Sequence, residues 1–143
     1  MNSPKHKEKI YPTHSEQETF ALARKLAKNF NGDEVVFLIG ELGAGKTVFA
    51  KGIAAGLGLK DIHQVCSPSF TLLNIYLAKI PIYHLDLYRL SGEVEIRDLG
   101  FEDYIGEGVV LIEWAEKITF PLAAIRVTIE VGDGCERRIK IVY

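Results

Sequence analysis

Apolar residues recur along this chain at three spacings, and each spacing predicts a different element. Two runs are continuous. Glu34-Val35-Val36-Phe37-Leu38-Ile39 and Val109-Val110-Leu111-Ile112-Glu113 are short and almost wholly apolar, the pattern of strands buried on both faces of a parallel sheet. Two segments have helical spacing. Leu22, Leu26 and Phe30 share a face with Ala23 and Ala27, and Phe49, Ile53 and Leu57 recur every four residues. One segment alternates. In 82–88, period two puts His84, Asp86 and Tyr88 on one face and Tyr83, Leu85 and Leu87 on the other.

Punctuation sets the boundaries. Thr13-His14-Ser15-Glu16 reads as a capping box with Thr13 as N-cap, opening a helix that runs to about Asn29 and stops at Asn31-Gly32. The second helix spans 47–57, with Gly58 placed to cap it. After a polar connection at 61–64 and a proline-containing loop at 65–70, residues 71–77 read as a strand, turning near Ala78-Lys79 into the alternating one. Residues 93–99 form a short helix and 101–105 another turn, with a break at 106–108. Residues 115–120 are an irregular or helical connection closed by Pro121. Strands at 123–131 and Arg137–Val142 flank Gly132-Asp133-Gly134, a hairpin signal. Residues 1–10, with Lys5, Lys7 and Lys9, read as a mobile tail or a short opening strand.

Between the first buried strand and the second helix stands Gly40-Glu41-Leu42-Gly43-Ala44-Gly45-Lys46-Thr47, a match to G-x-x-x-x-G-K-[ST]. A glycine-rich turn matches by chance far less readily when a strand precedes it and a helix follows. The chemistry follows from the spacing. Gly40, Gly43 and Gly45 are expected at positive φ, turning backbone N–H groups inward as an anion nest at the positive end of the helix dipole. Residues Glu41, Leu42, Gly43, Ala44, Gly45, Lys46, Thr47 and Val48 would wrap the phosphates of a nucleoside triphosphate or diphosphate, with the Lys46 ammonium on the outer ones and the Thr47 hydroxyl on Mg²⁺. The expected fold is α/β: a three-layer P-loop arrangement with a mixed, mainly parallel central sheet and a C-terminal β-hairpin.

With 143 residues the chain fits one domain, and its 48% hydrophobic content fits a globular core. A net charge of −2 gives no overall electrostatic case for gripping nucleic acid or an anionic membrane. Cys66 and Cys135 form no C-x-x-C pair and are expected as buried thiols in a reducing cytosol. No apolar stretch reaches transmembrane length and no signal peptide is evident.

Nucleotide hydrolysis needs an acid beyond the phosphate loop. Glu113 ends an apolar strand, where ligands bind in open α/β sheets. Asp86 is the other candidate, against the alternative of a solvated strand carboxylate. Trp114, the single tryptophan, is more often core filler, but it adjoins Glu113. His84 reads as a structural or surface histidine before a catalytic base.

Val65-Cys66-Ser67-Pro68-Ser69-Phe70-Thr71-Leu72, His84-Leu85-Asp86-Leu87-Tyr88-Arg89-Leu90 and Ile112-Glu113-Trp114, following that phosphate loop, resemble the bacterial TsaE family from about residue 13 to 138. The resemblance implies a cytoplasmic ATPase of the tRNA threonylcarbamoyladenosine pathway, working with TsaB and TsaD on adenosine next to the anticodon of tRNAs that read codons beginning with A. It implies that Thr47 and Glu113 serve the metal and that Asp86 is a functional acid near the γ-phosphate, so that Asp86 and Lys46 are the candidate catalytic residues. It also implies that Ser67, Ser69 and Thr71 belong to a switch-like segment and that Trp114 is functionally important. With partners, tRNA is expected to be held mainly by them and hydrolysis to quicken. Ser69 stands where the family often has Thr, which keeps the hydroxyl, and Ala115 where some members have Pro or Gly.

Three rivals remain. Asp103-Tyr104-Ile105-Gly106 matches the D-x-x-G of P-loop GTPases, but it follows no apolar strand and no N-K-x-D occurs. A small-molecule P-loop kinase would want an arginine-bearing lid, and between the phosphate loop and the last hairpin only Arg89 and Arg97 are available. A nucleotide-gated binding module would use hydrolysis only to reset its affinity for a partner.

Overall fold

The computed structural model describes residues 7–41 and 43–143, so Leu42 and most of the amino-terminal tail lie outside the described residues. Seven strands form one sheet in the order β1-β7-β6-β2-β5-β4-β3: β1 Glu8–Thr13, β2 Val35–Ile39, β3 Leu73–Tyr76, β4 Ile82–Asp86, β5 Val109–Glu113, β6 Ile125–Val131 and β7 Arg137–Val142. The pairs β6·β2, β2·β5 and β5·β4 are parallel, while β1·β7, β7·β6 and β4·β3 are antiparallel. Five strands therefore run one way and β3 and β7 the other, giving the expected mixed, mainly parallel sheet with a C-terminal hairpin.

Helices cover both faces. On one side α1 (Glu16–Ala27) and α2 (Lys46–Gly56) pack on Val36, Leu38, Leu111, Val127 and Ile139. On the other, α3 (Glu93–Asp98) and 3-10 turns at Phe101–Tyr104 and Ala115–Lys117 cover Val35, Phe37, Leu85, Val110 and Ile112. The neighbouring residues of β2 and β5 thus split between the two cores, which is why these strands read as unbroken apolar runs. Burying side chains such as Phe49 and Ile53 stabilises the helix layer by about 1.5–3 kcal/mol each.

The helix pair keeps the face of α1 read from the sequence but corrects which of its residues are wholly buried. The wholly buried face of α1 carries Thr19, Ala23 and Ala27, and Leu22, Leu26 and Phe30 only flank it. The reason is close approach. A Cβ on Gly52 of α2 would stand 2.5 Å from the Phe20 carbonyl and 2.6 Å from Ala23 Cβ, so only small residues fit the seam. At the far end of α2, Gly58 N–H donates to Ala55 O and Leu59 N–H to Ala54 O, a Schellman stop that fits the expected glycine cap.

The start of α1 is a second correction. Residues 8–10 are strand, and the strand continues to Thr13, whose hydroxyl is buried against Thr19 at 2.8 Å. Extended pairing with β7 consumes Thr13, so the N-cap falls to Ser15, which accepts from Glu18 N–H at 3.1 Å. Glu18 in turn accepts from His14 N–H. The cysteine expectation also fails: Cys66 and Cys135 are both exposed free thiols, because each lies in a loop.

Candidate functional site

The phosphate loop joins the carboxyl end of β2 to the first residue of α2. Gly43 and Gly45 hold φ of 81° and 107°, backbone that a side chain would strain, and nothing lies within 4 Å of where their Cβ atoms would be. No side chain caps α2 at Gly45, so its first N–H groups are left to an anion. Gly40 departs from the expectation of positive φ. It is glycine for space: a Cβ there would sit 2.9 Å from Ile129 O and 3.2 Å from Ala44 Cβ. Ala44 is buried, Glu41 exposed and Val48 half-buried beside the site. Lys46 is 7% exposed, its Nζ 4.8 Å from the centre of the Trp114 ring.

Both candidate acids end strands at the same level. Asp86 of β4 is in register with Glu113 of β5, and they are 3% and 2% exposed. Asp86 is thus no solvated strand carboxylate. Its Oδ2 accepts from Ser69 Oγ at 3.2 Å and its Oδ1 from Tyr88 N–H at 2.9 Å. Glu113 Oε1 accepts from Ser67 Oγ at 3.1 Å, and Oε2 lies 2.7 Å from His84 Nε2. Burial alone would push the Glu113 carboxyl up. The bond and charge of His84, the Ser67 bond and the Lys46 charge outweigh it and hold the group below the ordinary carboxylate range.

The 65–72 loop crosses in front of these acids. Ser67 Oγ stands between Thr47 Oγ1, at 3.2 Å, and Glu113. Thr71 faces away and donates to Asn74 at 2.8 Å. Leu72 closes the loop at φ 68°, with its N–H on Pro68 O. Among the described residues, Leu72 and Trp114 (φ 58°) are the non-glycine residues in left-handed backbone; Leu72 O accepts from the Asp86 N–H at the end of β4, and Trp114 follows Glu113 at the end of β5. The Trp114 ring partly packs on the second core and partly walls the site, 4.9 Å from Tyr88.

These groups converge on one cavity of about 550 Å³. Lys46, Thr47, Ser67, Ser69, Asp86, Glu113 and Trp114 line it, with Thr71 outside. Sequence reasoning missed four further residues. Arg89, which had no assured route to the phosphates, lines the cavity, its guanidinium on the exposed Phe70 ring. Arg137, from the start of β7, donates to Ala44 O at 2.9 Å and Gly43 O at 3.4 Å, clamping the phosphate loop from the hairpin. His84, read as structural or surface, is fully buried against Glu113. Its other ring nitrogen meets Tyr76 at 3.0 Å. Only the strand alternation placing His84 with Asp86 hinted at this, and Arg137 had no local signal. The D-x-x-G at 103–106 begins in the 3-10 turn on the second core and is not among the cavity residues. The arrangement can cradle polyanionic phosphate and present hard oxygen ligands beside it.

Known proteins resemble the chain along nearly its whole length. The family model described as "Threonylcarbamoyl adenosine biosynthesis protein TsaE" matches residues 13–139. A tRNA threonylcarbamoyladenosine biosynthesis protein TsaE from Aquifex aeolicus is 40% identical over 128 residues, covering 89% of this chain and 90% of that one. The protein of the same name from Bacillus subtilis is 42% identical over 127 residues, covering 86% and 78%. The crystal structure of Bacillus subtilis YdiB superposes with a TM-score of 0.77 at 33% identity, covering 98% of this chain and 88% of that one.

Proposed function

The chain belongs to the TsaE family, and on that footing we propose that it is a Mg²⁺-dependent ATPase. It supports the threonylcarbamoyl modification of adenosine next to the anticodon of tRNAs reading codons that begin with A, acting with TsaB and TsaD in the cytoplasm. One observation carries the enzymatic part: Lys46, Thr47 and two buried carboxylates share one cavity at the carboxyl edge of the parallel strands.

The residues fit the groups this reading needs. The cradle at Gly43 and Gly45 is open, and the α2 N-terminus is uncapped. The Thr47 hydroxyl and Glu113 carboxylate are hard oxygen donors of the kind Mg²⁺ prefers, and that ion takes the rest of its shell from phosphate and water. Held there, Mg²⁺ would supply Lewis-acid neutralisation of phosphate charge. The chain's own groups do the remainder. Backbone N–H groups of 43–47 bind the phosphates, and the Lys46 ammonium neutralises the outer ones. Asp86, oriented by Ser69 and the Tyr88 N–H, aligns the attacking water. Trp114 and Tyr88 wall the site against bulk water. With a net charge of −2, the protein relies mainly on its partners to hold tRNA.

The experiment is phosphate release from ATP by the lone protein, by the set with TsaB and TsaD, and by each with tRNA. Arms with candidate phosphoryl acceptors are added. Slow release alone and faster release in the set support the reading. Transfer of phosphate to a small molecule without net release returns the small-molecule kinase. Equal turnover everywhere, with no complex on a sizing column, breaks the partner model.

A further inference from the structure

The hydrogen bonds behind Glu113 form a closed circuit that starts and ends in one loop. Cys66 N–H donates to the Tyr76 hydroxyl at 3.2 Å. That hydroxyl lies 3.0 Å from His84 Nδ1. The opposite ring nitrogen is 2.7 Å from Glu113 Oε2, and Oε1 of the same carboxylate accepts from Ser67, the residue after Cys66. Ser67 then touches Thr47. An ionised carboxylate can only accept, so His84 presents Nε2–H to Glu113. With the ring neutral the Tyr76 proton has two acceptors, His84 Nδ1 and the Cys66 carbonyl at 3.1 Å; with the ring charged Nδ1–H donates to the Tyr76 oxygen and the tyrosine proton goes to that carbonyl, so the circuit closes in both states. Asn74 Nδ2 also donates to that carbonyl at 3.3 Å, which keeps it satisfied when the tyrosine proton turns to the ring.

We propose that His84 and Tyr76 are positioning residues that aim the Glu113 carboxylate at the metal position beside Thr47 and tie that aim to the backbone of the 65–72 loop. A carboxylate held by one donor can swing, and opposed donors on its two oxygens fix its plane. The imidazole would itself rotate if Tyr76 did not hold the far nitrogen. Because the circuit leaves the loop at Cys66 and re-enters it at Ser67, displacement of that loop moves both carboxylate contacts together. A purely structural role explains the arrangement poorly. His84 is fully buried and Tyr76 is 3% exposed, and apolar residues would fill these places without desolvating an imidazole, a phenol and a carboxylate.

This rests on reading Glu113 as the metal-facing acid. The test compares Tyr76→Phe, which removes one oxygen, with His84→Leu and with His84→Gln, which keeps an N–H donor near the Nε2 position. Affinity for ADP is titrated with EDTA and then across Mg²⁺ concentrations, and folding is followed by thermal melts. Outer partners of metal ligands are typically worth about 10–100-fold in metal affinity or activity. The expected result is a rise of about tenfold in the Mg²⁺ needed for half-maximal enhancement in His84→Leu, a smaller rise in Tyr76→Phe, and recovery in His84→Gln. Metal-free ADP affinity should stay within about twofold of wild type by the same argument. Wild-type Mg²⁺ dependence in folded Tyr76→Phe and His84→Leu overturns the proposal alone. So does equal loss with and without metal. Wild-type protein whose ADP binding ignores Mg²⁺ removes the reading of Glu113 as well. If His84→Leu does not fold, Tyr76→Phe decides.

Discussion

The phosphate loop and the 65–72 loop bound the same cavity, yet they are held by different means. The first is continuous with β2 and a buried helix. Ala44 is wholly buried, and Arg137 grips the carbonyls of Gly43 and Ala44. The second is rooted by buried Val65 and Pro68 and by the Asp86 N–H on Leu72 O, and what fastens it across the cavity is side-chain hydroxyls: Ser67 on Glu113 and Thr47, Ser69 on Asp86, Tyr76 on Cys66. It carries Phe70 at 82% exposure. Such hydroxyl bonds are each worth about 0.5–3 kcal/mol net, those to the Glu113 and Asp86 carboxylates at the upper end, and a ligand or a docking surface that offers better partners can exchange them. On the proposed reading, the segment that would seat phosphate is tied in by buried backbone and the Arg137 clamp, and the segment that would respond is fastened by contacts a ligand can replace.

The comparison breaks first at Lys46. Charge-assisted contacts contribute about 1.5–3 kcal/mol each, so Lys46→Ala should weaken nucleotide binding about 10- to 100-fold and abolish turnover, with its melting temperature little changed. Wild-type phosphate release by a folded variant would remove the rigid seat from the account. On the responsive side, Asp86→Asn should slow kcat by about 10²-fold while KM moves little, because on the proposed reading the group aligns water and its loss leaves the phosphate seat intact. A loss confined to KM would make Asp86 part of the seat.

A smaller effect is expected at the clamp. Arg137→Ala removes the guanidinium from Gly43 and Ala44, so stability should fall by about 1–2 kcal/mol and nucleotide affinity by several-fold. Denaturant melts and nucleotide titration read both, and unchanged affinity would mean that the seat is rigid without its clamp. The smallest effect is the acid limb. The Glu113 carboxyl is held below its ordinary value of 4.5. The stability its ionised form contributes is therefore complete above that value and is lost as pH falls through the lowered one. Melts of wild type and Glu113→Gln should differ most near neutrality and converge in acid. A gap that stays constant with pH would mean that the Glu113 charge contributes nothing to folding.

Local chemistry determined much of this protein from its sequence. A strand buried on two faces has to be an apolar run, so β2 and β5 were legible, and β5 falls on Val109–Glu113 as read. A phosphate loop needs its glycines and lysine at fixed spacing in contiguous chain, so residues 40–47 were legible as a candidate for one. What remained hidden depends on residues far apart in sequence. Pairing of β1 with β7 extended the strand through Thr13 and moved the helix cap to Ser15. Close approach of two helices, felt only through Gly52 and Gly56 against α1, decided which residues of α1 are wholly buried. Arg137 meets a loop more than ninety residues before it. His84 looked ordinary because its meaning lies in Glu113, 29 positions later and on the adjacent strand. Backbone preference and periodicity act within a few residues and can be read in order. Partners for buried polar groups are chosen by the strand order, and that exists only once the sheet has formed.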